Sequence, residues 1–146
     1  MQKLVKFSFG TSPVYIVAAK RTAIGTFMGK ISHMTAPEIG GVAIKGALDS
    51  IKLNPKEVDE VILGNVLSAG IGQAPARQAS LKGGLPIEVP CTTINKVCSS
   101  GLKSVVYGSM SIALGNANTV VAGGFESMSN APHMLVGVII FFIVDP

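Results

Sequence analysis

Cys98 is the side chain in this sequence whose type and position best suit nucleophilic chemistry. It lies between a segment rich in β-branched residues and a long segment of apolar and small residues. This change predicts a strand-to-helix turn, at which the sulfur would face the unpaired amide groups of a helix N-terminus. Free cysteine is also among the residue types most often buried, so a structural thiol is the alternative. For Cys91, which has no comparable position, the structural role is favoured.

A nucleophile at this position needs a second group to activate it. A helix N-terminus stabilises a nearby thiolate by only about 0.3–1 kcal/mol, so an efficient cysteine nucleophile usually has a histidine partner. His33 lies in a polar stretch and favours a solvated loop, whereas His133 follows a proline and favours local packing. Neither histidine is assigned as the base. The cysteines and histidines show none of the usual zinc spacings, so no metal site is predicted.

The elements that would position Cys98 alternate between strand and helix. The predicted strands are residues 14–19, 58–67, 91–97 and 119–122. The first predicted helix begins at residue 35 and is ended by residues 52–55, and the other two are residues 76–82 and 99–114. Thr35 and Glu38 form a capping-box pattern at the start of the first helix. The apolar face of that helix is predicted to contain Ile39, Val42, Ala43, Ile44, Ala47 and Leu48. The alternation predicts an α/β layered sheet with right-handed crossovers.

The helix after Cys98 carries a stripe of small residues, Gly101, Ser104, Gly108 and Ser111, at steps of three and four. Most of its remaining positions are apolar. A helix that is apolar nearly all round is a buried one, and the small residues would let its backbone approach a neighbour closely. We therefore predict a buried helix.

Composition excludes several classes of function. The chain has 146 residues, the usual size of one domain with a single core. Its 48% hydrophobic and 14% charged residues are far from the polar, highly charged composition of disordered chains. Its net charge of +4 is spread along the chain, so no nucleic-acid partner is predicted. The apolar segment 134–144 is shorter than the roughly twenty residues that span a bilayer, so no membrane role is predicted. Two cysteines form no disulfide framework, and both are predicted to be free thiols.

Four segments of the chain resemble the thiolase family. The segment TTINKVCSSGLK, residues 92–103, resembles the nucleophile motif of that family, particularly of its acetyl-CoA acetyltransferase branch. The other three are VYIVAAKRTAIGTFMG (14–29), GNVLSAGIGQAPARQAS (64–80) and VVAGGFESMSNAPH (120–133). The resemblance divides the chain into a leader, residues 1–13, expected to be disordered; a partial thiolase amino-terminal domain, residues 14–133; and an apolar tail outside the family, residues 134–146.

The resemblance implies a role for Cys98 as the residue that takes an acyl group from a coenzyme A thioester, with its own backbone amide in the oxyanion hole. The thioester is the substrate, and no covalently bound cofactor is implied. In the family a histidine and a second cysteine from the carboxy-terminal domain complete the site. Neither maps onto this chain, and no coenzyme A-binding residue is assigned. The implied fold is a layered α-β-α-β-α sandwich, of which only the amino-terminal βαβαβαβ half is present.

The function implied is condensation of two acetyl-CoA molecules to acetoacetyl-CoA, or the reverse thiolysis, through an acyl-Cys98 intermediate. A degradative 3-ketoacyl-CoA thiolase is one alternative. A ketoacyl-synthase type of condensing enzyme is another alternative. The stretches GGFESMS and GQAPARQ favour a thiolase over a ketoacyl synthase. A truncated, catalytically incomplete fragment that self-associates or pairs with a thiolase subunit is the alternative from another class. The resemblance also implies a homo-oligomer through the strand from Cys91 to Val97, and a cytoplasmic or mitochondrial location.

Overall fold

The computed structural model describes residues 5–9 and 12–134 of the chain, with side chains from residue 13 onward. The strands in this part are β1 (Val5–Phe9), β2 (Ser12–Ile16), β3 (Glu60–Gly64), β4 (Cys91–Ile94) and β5 (Val120–Gly124). The α-helices are α1 (Ala36–Ile51), α2 (Pro75–Lys82) and α3 (Ser100–Ala113), with short 3-10 helices at Pro55–Glu57 and Met128–Asn130. The alternation of strands and helices from α1 to β5 agrees with the sequence prediction.

The central sheet has three parallel strands in the order β4-β3-β5. Val61 of β3 is paired with Cys91 of β4 on one side and Val121 of β5 on the other. Parallel neighbours need a crossover, and α2 and α3 supply it. Because β3 is covered on both faces, Val61, Ile62 and Leu63 are all buried, as expected of a continuous apolar run. The predicted α/β class is confirmed.

The helices α1 and α2 form a layer on one face of the sheet. Their buried apolar side chains share one core with alternate residues of β3, comprising Ile44, Leu48, Ala76, Ala79, Val61 and Leu63. The two helices approach closely at Gly41, where an added Cβ would lie 2.7 Å from the Cβ of Lys82. This contact rotates α1 so that Val42, predicted on the apolar face, is 54% exposed. The prediction for Val42 was therefore wrong.

The start of α1 agrees with the predicted capping box. The carboxylate of Glu38 accepts hydrogen bonds of 2.8 Å from both the backbone N–H and the hydroxyl of Thr35. These bonds, the backbone one foremost, hold the pKa of Glu38 below its ordinary value, and Lys82 adds to the effect. The N-terminus of α1 is thus tied by a side chain, which satisfies donors that a helix would otherwise leave open.

The helix α3 packs on the opposite face of the sheet through its small residues. Ser104 is fully buried, and an added Cβ on Gly108 would lie 3.0 Å from Val120 Cγ1 and 3.4 Å from Ala122 Cβ. The predicted close approach of this helix is confirmed. Its predicted burial all round is wrong, since Leu102 is 72% exposed and Met110 is also exposed. The sheet covers one side of α3, and no element within residues 12–134 covers the side that carries Leu102.

The first predicted strand, residues 14–19, differs most from the structure. Residues 12–16 form β2, which pairs antiparallel with β1 and not with the central sheet. The backbone finds its partner in Val5–Phe9, a part of the leader that was expected to be disordered. Val17 is 55% exposed, so the predicted coverage on both faces is also wrong. Residues 14–20 instead border an apolar cleft of about 350 Å³ beside β5, and the described residues that line it include no cysteine or histidine.

The apolar tail lies largely outside the described residues, which end at Met134. Over the part of the chain that the structure describes, no helix combines the length and apolarity needed to cross a membrane.

Candidate active site

The three strands of the sheet end at one edge, and the residues that follow them lie around Cys98. The strands end at Gly64, Ile94 and Gly124. In open sheets of parallel strands, ligands bind outside these carboxyl ends. Cys98 lies between β4 and α3, two residues before the first residue of the helix, so its predicted position at a strand-to-helix turn is confirmed.

The turn that carries Cys98 is fixed by its own hydrogen bonds. The side-chain oxygen of Asn95 accepts from the N–H of Val97 at 2.9 Å. The hydroxyl of Ser100 accepts from the N–H of Lys96 at 2.7 Å and donates to the carbonyl of Val97 at 2.6 Å. Val97 has a φ of 51°, a left-handed conformation that is strained for a β-branched residue. This turn ends β4 at Ile94, so the prediction of a strand to residue 97 was wrong.

Glycines bring the start of α3 directly onto the sheet. A Cβ added to Gly64 would lie 2.5 Å from the carbonyl carbon of Ser100, and one added to Gly124 would lie 3.0 Å from Gly101 Cα. Neither strand end can accept a side chain without moving the helix. The close approach therefore fixes the height of Cys98 above the edge of the sheet.

The thiol of Cys98 is exposed and opens onto a cavity of about 500 Å³. The larger side chains of its wall are apolar: Val66, Leu67, Val97, Phe125 and Met128. Among the described residues of the lining, Glu126 supplies the one carboxylate. Such a cavity suits an uncharged group with one reactive centre, since apolar walls exclude water from most of its surface.

The sequence prediction missed the polar residues that follow the strands. Asn65 follows β3, Asn95 follows β4, and Glu126 follows β5 after Phe125. The carboxylate of Glu126 lies within hydrogen-bond distance of the backbone of Val66, at 2.9 Å. A signal was present, because a polar residue just after each parallel strand is expected at the edge where ligands bind.

Cys91 occupies a different environment from Cys98. It is half-buried, packs against the core, and its thiol donates to the carbonyl of Val89 at 3.3 Å. Both cysteines are free thiols, as predicted. The structural interpretation of Cys91 agrees with this packing.

Neither histidine lies in the cavity of Cys98. His33 and His133 are both exposed, and neither is among the residues that line the cavity. Among the described side chains, no three of the types His, Cys, Asp and Glu lie together in a group that could hold a metal ion. The wall of the cavity within residues 64–128 therefore offers Glu126, and no imidazole, as a proton acceptor beside Cys98.

The comparisons with known proteins agree with this architecture. The family described as "Thiolase, N-terminal domain" matches residues 14–140 of the chain. The chain belongs to the thiolase family. The match begins at the residue where the resemblance was expected to begin. It continues into the first residues of the segment 134–146, which was expected to lie outside the family.

The curated relatives are acetyl-CoA acetyltransferases from fungi, bacteria and animals. The cytosolic enzyme of Gibberella zeae is 57% identical over 123 residues, covering 84% of this chain and 31% of the relative. The enzyme of Cupriavidus necator is 56% identical over 124 residues, which cover 85% of this chain and 32% of the relative. The mitochondrial enzyme of Danio rerio is 50% identical over 137 residues, which cover 91% of this chain and 33% of the relative. The chain thus spans about a third of the length of these relatives.

Proposed function

We propose that this chain carries the acyl-accepting cysteine of a thiolase-type acyltransferase, with Cys98 as the nucleophile and coenzyme A thioesters as substrates. The observation that carries the proposal is the exposed thiol of Cys98, held in a strained turn at the start of α3 and open to an apolar cavity. The names of the relatives favour an acetyl group over longer acyl groups.

In the proposed reaction the sulfur of Cys98 attacks the carbonyl carbon of acetyl-CoA. The bond from that carbon to the sulfur of coenzyme A breaks, and coenzyme A leaves as a thiol with the proton that Cys98 has lost. The methyl carbon of a second acetyl-CoA then loses a proton and attacks the carbonyl carbon of the acetyl group on Cys98. The bond from that carbon to the sulfur of Cys98 breaks, acetoacetyl-CoA is released, and the proton lost by the second acetyl-CoA restores the thiol of Cys98. Thiolysis is the reverse. The backbone amide of Cys98 would stabilise the oxyanion of each tetrahedral intermediate. No bound cofactor takes part in these steps.

An acylation assay tests the proposal. The purified chain is mixed with acetyl-CoA, and peptide mass spectrometry measures the acetyl group on each cysteine. We expect one acetyl group on Cys98 and none on Cys91. Cys98→Ala should abolish acetylation and Cys91→Ala should leave it unchanged. Acetylation of neither cysteine in the folded chain would contradict the proposal.

A second candidate is a catalytically incomplete chain that needs another thiolase subunit. It is favoured by the lining of the Cys98 cavity, which among the described residues includes neither histidine. This candidate predicts that the isolated chain forms no acetoacetyl-CoA. Activity should appear when the chain is mixed with a full-length thiolase whose nucleophilic cysteine has been replaced by alanine. The same mixture made with the Cys98→Ala chain is the control.

Self-association through residues 91–97 is part of the proposal. Within the described sheet β4 pairs only with β3, so its other edge is open to a second strand, and Thr92 is exposed. Thr92→Lys should weaken self-association in sedimentation velocity, because a charge on an edge strand opposes pairing. Asn118→Lys, with the same change of charge beside the opposite edge strand β5, should not. Equal effects of the two variants would place the contact elsewhere.

For location, we infer the cytosol or the mitochondrion, since the relatives include a protein named as cytosolic and one named as mitochondrial. Expression of the chain with a fluorescent tag, imaged against markers of the two compartments, tests this inference. A signal in a third compartment would contradict it.

A further inference from the structure

Glu126 joins the ends of two strands beside the cavity of Cys98. Its carboxylate accepts three hydrogen bonds: one of 2.9 Å from the N–H of Val66, one of 3.2 Å from the N–H of Leu67, and one of 2.8 Å from the side-chain amide of Asn65. All three donors belong to the segment that leaves β3, whereas Glu126 follows β5. The carboxylate thus holds the backbone of two residues that form the cavity wall, Val66 and Leu67.

Asn65 extends this connection beneath the cavity. The residue is 2% exposed, and its side-chain amide also donates to the carbonyl of Phe125 at 3.2 Å. Its backbone N–H donates to the carbonyl of Ile94, the last residue of β4, at 3.0 Å. The ends of β3, β4 and β5 are therefore joined through the backbone N–H of Asn65, its buried side-chain amide and the carboxylate of Glu126.

The same network reaches the turn that carries Cys98. Glu126 accepts a hydrogen bond from the N–H of Val66. The side-chain NH₂ group of Asn95 donates to the carbonyl of the same Val66 at 3.4 Å. The oxygen of the same Asn95 side chain accepts from the N–H of Val97, next to Cys98. The wall of the cavity and the turn of the nucleophile are thus set by one chain of hydrogen bonds that begins at Glu126.

We propose that Glu126 is a positioning residue, whose carboxylate fixes the Val66–Leu67 wall relative to Cys98 and so determines how a thioester carbonyl is presented to the sulfur. The inference rests on the proposed function of Cys98. A positioning role fits the contacts better than a role as base, because both carboxylate oxygens accept N–H bonds from the wall and from Asn65. Correct placement of a carbonyl accelerates attack, whereas a small alkylating reagent needs no such placement.

The test uses the full chain with Glu126→Gln, and Glu60→Gln as the matched control. A glutamine has one accepting oxygen, so its NH₂ group must face at least one of the N–H donors now held by the carboxylate. Glu60 is also a partly buried carboxylate, bonded to the hydroxyl of Ser111 at 2.7 Å, but it begins β3 at the far end of the sheet. Two rates are measured on Cys98 by peptide mass spectrometry: acetylation by acetyl-CoA, and alkylation by iodoacetamide as a function of pH.

We expect Glu126→Gln to slow acetylation about tenfold, the effect of one lost charged hydrogen bond in a buried network. Alkylation should change less than about twofold, and its pH profile should keep its shape. Glu60→Gln should change neither rate. A shifted pH profile in Glu126→Gln would identify a base and overturn the positioning role. Equal slowing of both reactions, or unchanged acetylation, would also overturn it.

Amide hydrogen exchange separates this inference from the proposed function. If Cys98 of the wild-type chain is not acetylated, the proposed function fails, but the exchange of the Val66 and Leu67 amides can still be measured. We expect exchange at these two amides to be about tenfold faster in Glu126→Gln and unchanged in Glu60→Gln. Unchanged exchange would overturn the inference. Glu126→Asp, which keeps the charge on a shorter side chain, serves if Glu126→Gln does not fold, and its exchange should also be faster.

Discussion

The two helical layers of this domain bury opposite kinds of surface. On one face of the sheet, α1 and α2 bury large aliphatic side chains such as Ile44 and Leu48 together with alternate residues of β3. On the other face, α3 buries Ser104 and Gly108 and turns Leu102 outward. The first layer has the pattern of a completed hydrophobic core. The second layer is held by close approach of backbone to backbone.

The candidate site is held in place by the second kind of packing. Burial of aliphatic side chains stabilises a fold but tolerates small shifts, because the contact is not directional. Glycine contacts leave no room for such a shift. At Gly124, for example, an added Cβ would lie only 3.0 Å from the Cα of Gly101. The layer that carries Cys98 is therefore the one in which small residues determine position. Stability should depend mainly on the first layer, and geometry at Cys98 on the second.

The largest expected effect compares one leucine from each layer. Leu48→Ala should lower the free energy of unfolding by about 2–5 kcal/mol, because the side chain is 5% exposed and its loss leaves a cavity. Leu102→Ala should change it by less than about 0.5 kcal/mol, since that side chain is 72% exposed. Urea denaturation measures both. Similar losses from the two variants would mean that the outer side of α3 is covered in solution.

The next effect compares two glycines. Gly64→Ala should lower the free energy of unfolding by about 1–3 kcal/mol, because the new Cβ would overlap the backbone of Ser100. Gly46→Ala should raise it by about 0.5–1 kcal/mol, since Gly46 lies within α1 and, apart from the backbone of its own helix, no described atom lies within 4 Å of an added Cβ. Alkylation of Cys98 should change in rate only in Gly64→Ala. A rate change in the Gly46 variant would contradict a local effect.

A smaller effect compares two serines that each bond to the carbonyl three residues earlier. The hydroxyl proton of Ser104 is shared between the carbonyls of Gly101 at 2.6 Å and Gly123 at 2.7 Å. Ser104→Ala leaves Gly123 without this donor and should cost about 1 kcal/mol. Ser50→Ala, on exposed α1 surface with a 2.7 Å bond to Ala47, should cost less than about 0.5 kcal/mol. Thermal unfolding followed by circular dichroism should rank them in this order.

The smallest effect compares the starts of two helices. The start of α1 is held by the carboxylate of Glu38, whereas Ser99 at the start of α3 makes no side-chain cap bond. The pKa of Glu38 is lowered from about 4.5, so its contribution is present above that pH. That contribution is lost as the pH falls through the lower folded value. The stability difference between wild type and Glu38→Gln should therefore be constant near neutral pH and shrink in acid. A difference that grows in acid would contradict the assignment.

Much of the layer that contains α1 and α2 could be predicted from local pattern. The capping box at Thr35 and the apolar spacing of Ile44 and Leu48 act within one or two helical turns, so they can be seen in the sequence. Val42 could not be predicted, since its exposure depends on which side of α1 the second helix approaches. The strand predicted at residues 14–19 failed for a similar reason, because a β-branched run does not determine which strand it pairs with.

For the candidate site, residue types alone predict that Cys98 stands at a strand-to-helix turn and that the helix after it can approach a neighbour closely. Both follow from residue types at short spacing. The meeting of Asn65, Asn95 and Glu126 at this turn depends on tertiary structure, because these residues follow three different strands and come together through sheet pairing. Hydrogen bonds between residues about sixty positions apart leave no periodic trace in a sequence, and the chain must fold before they can form.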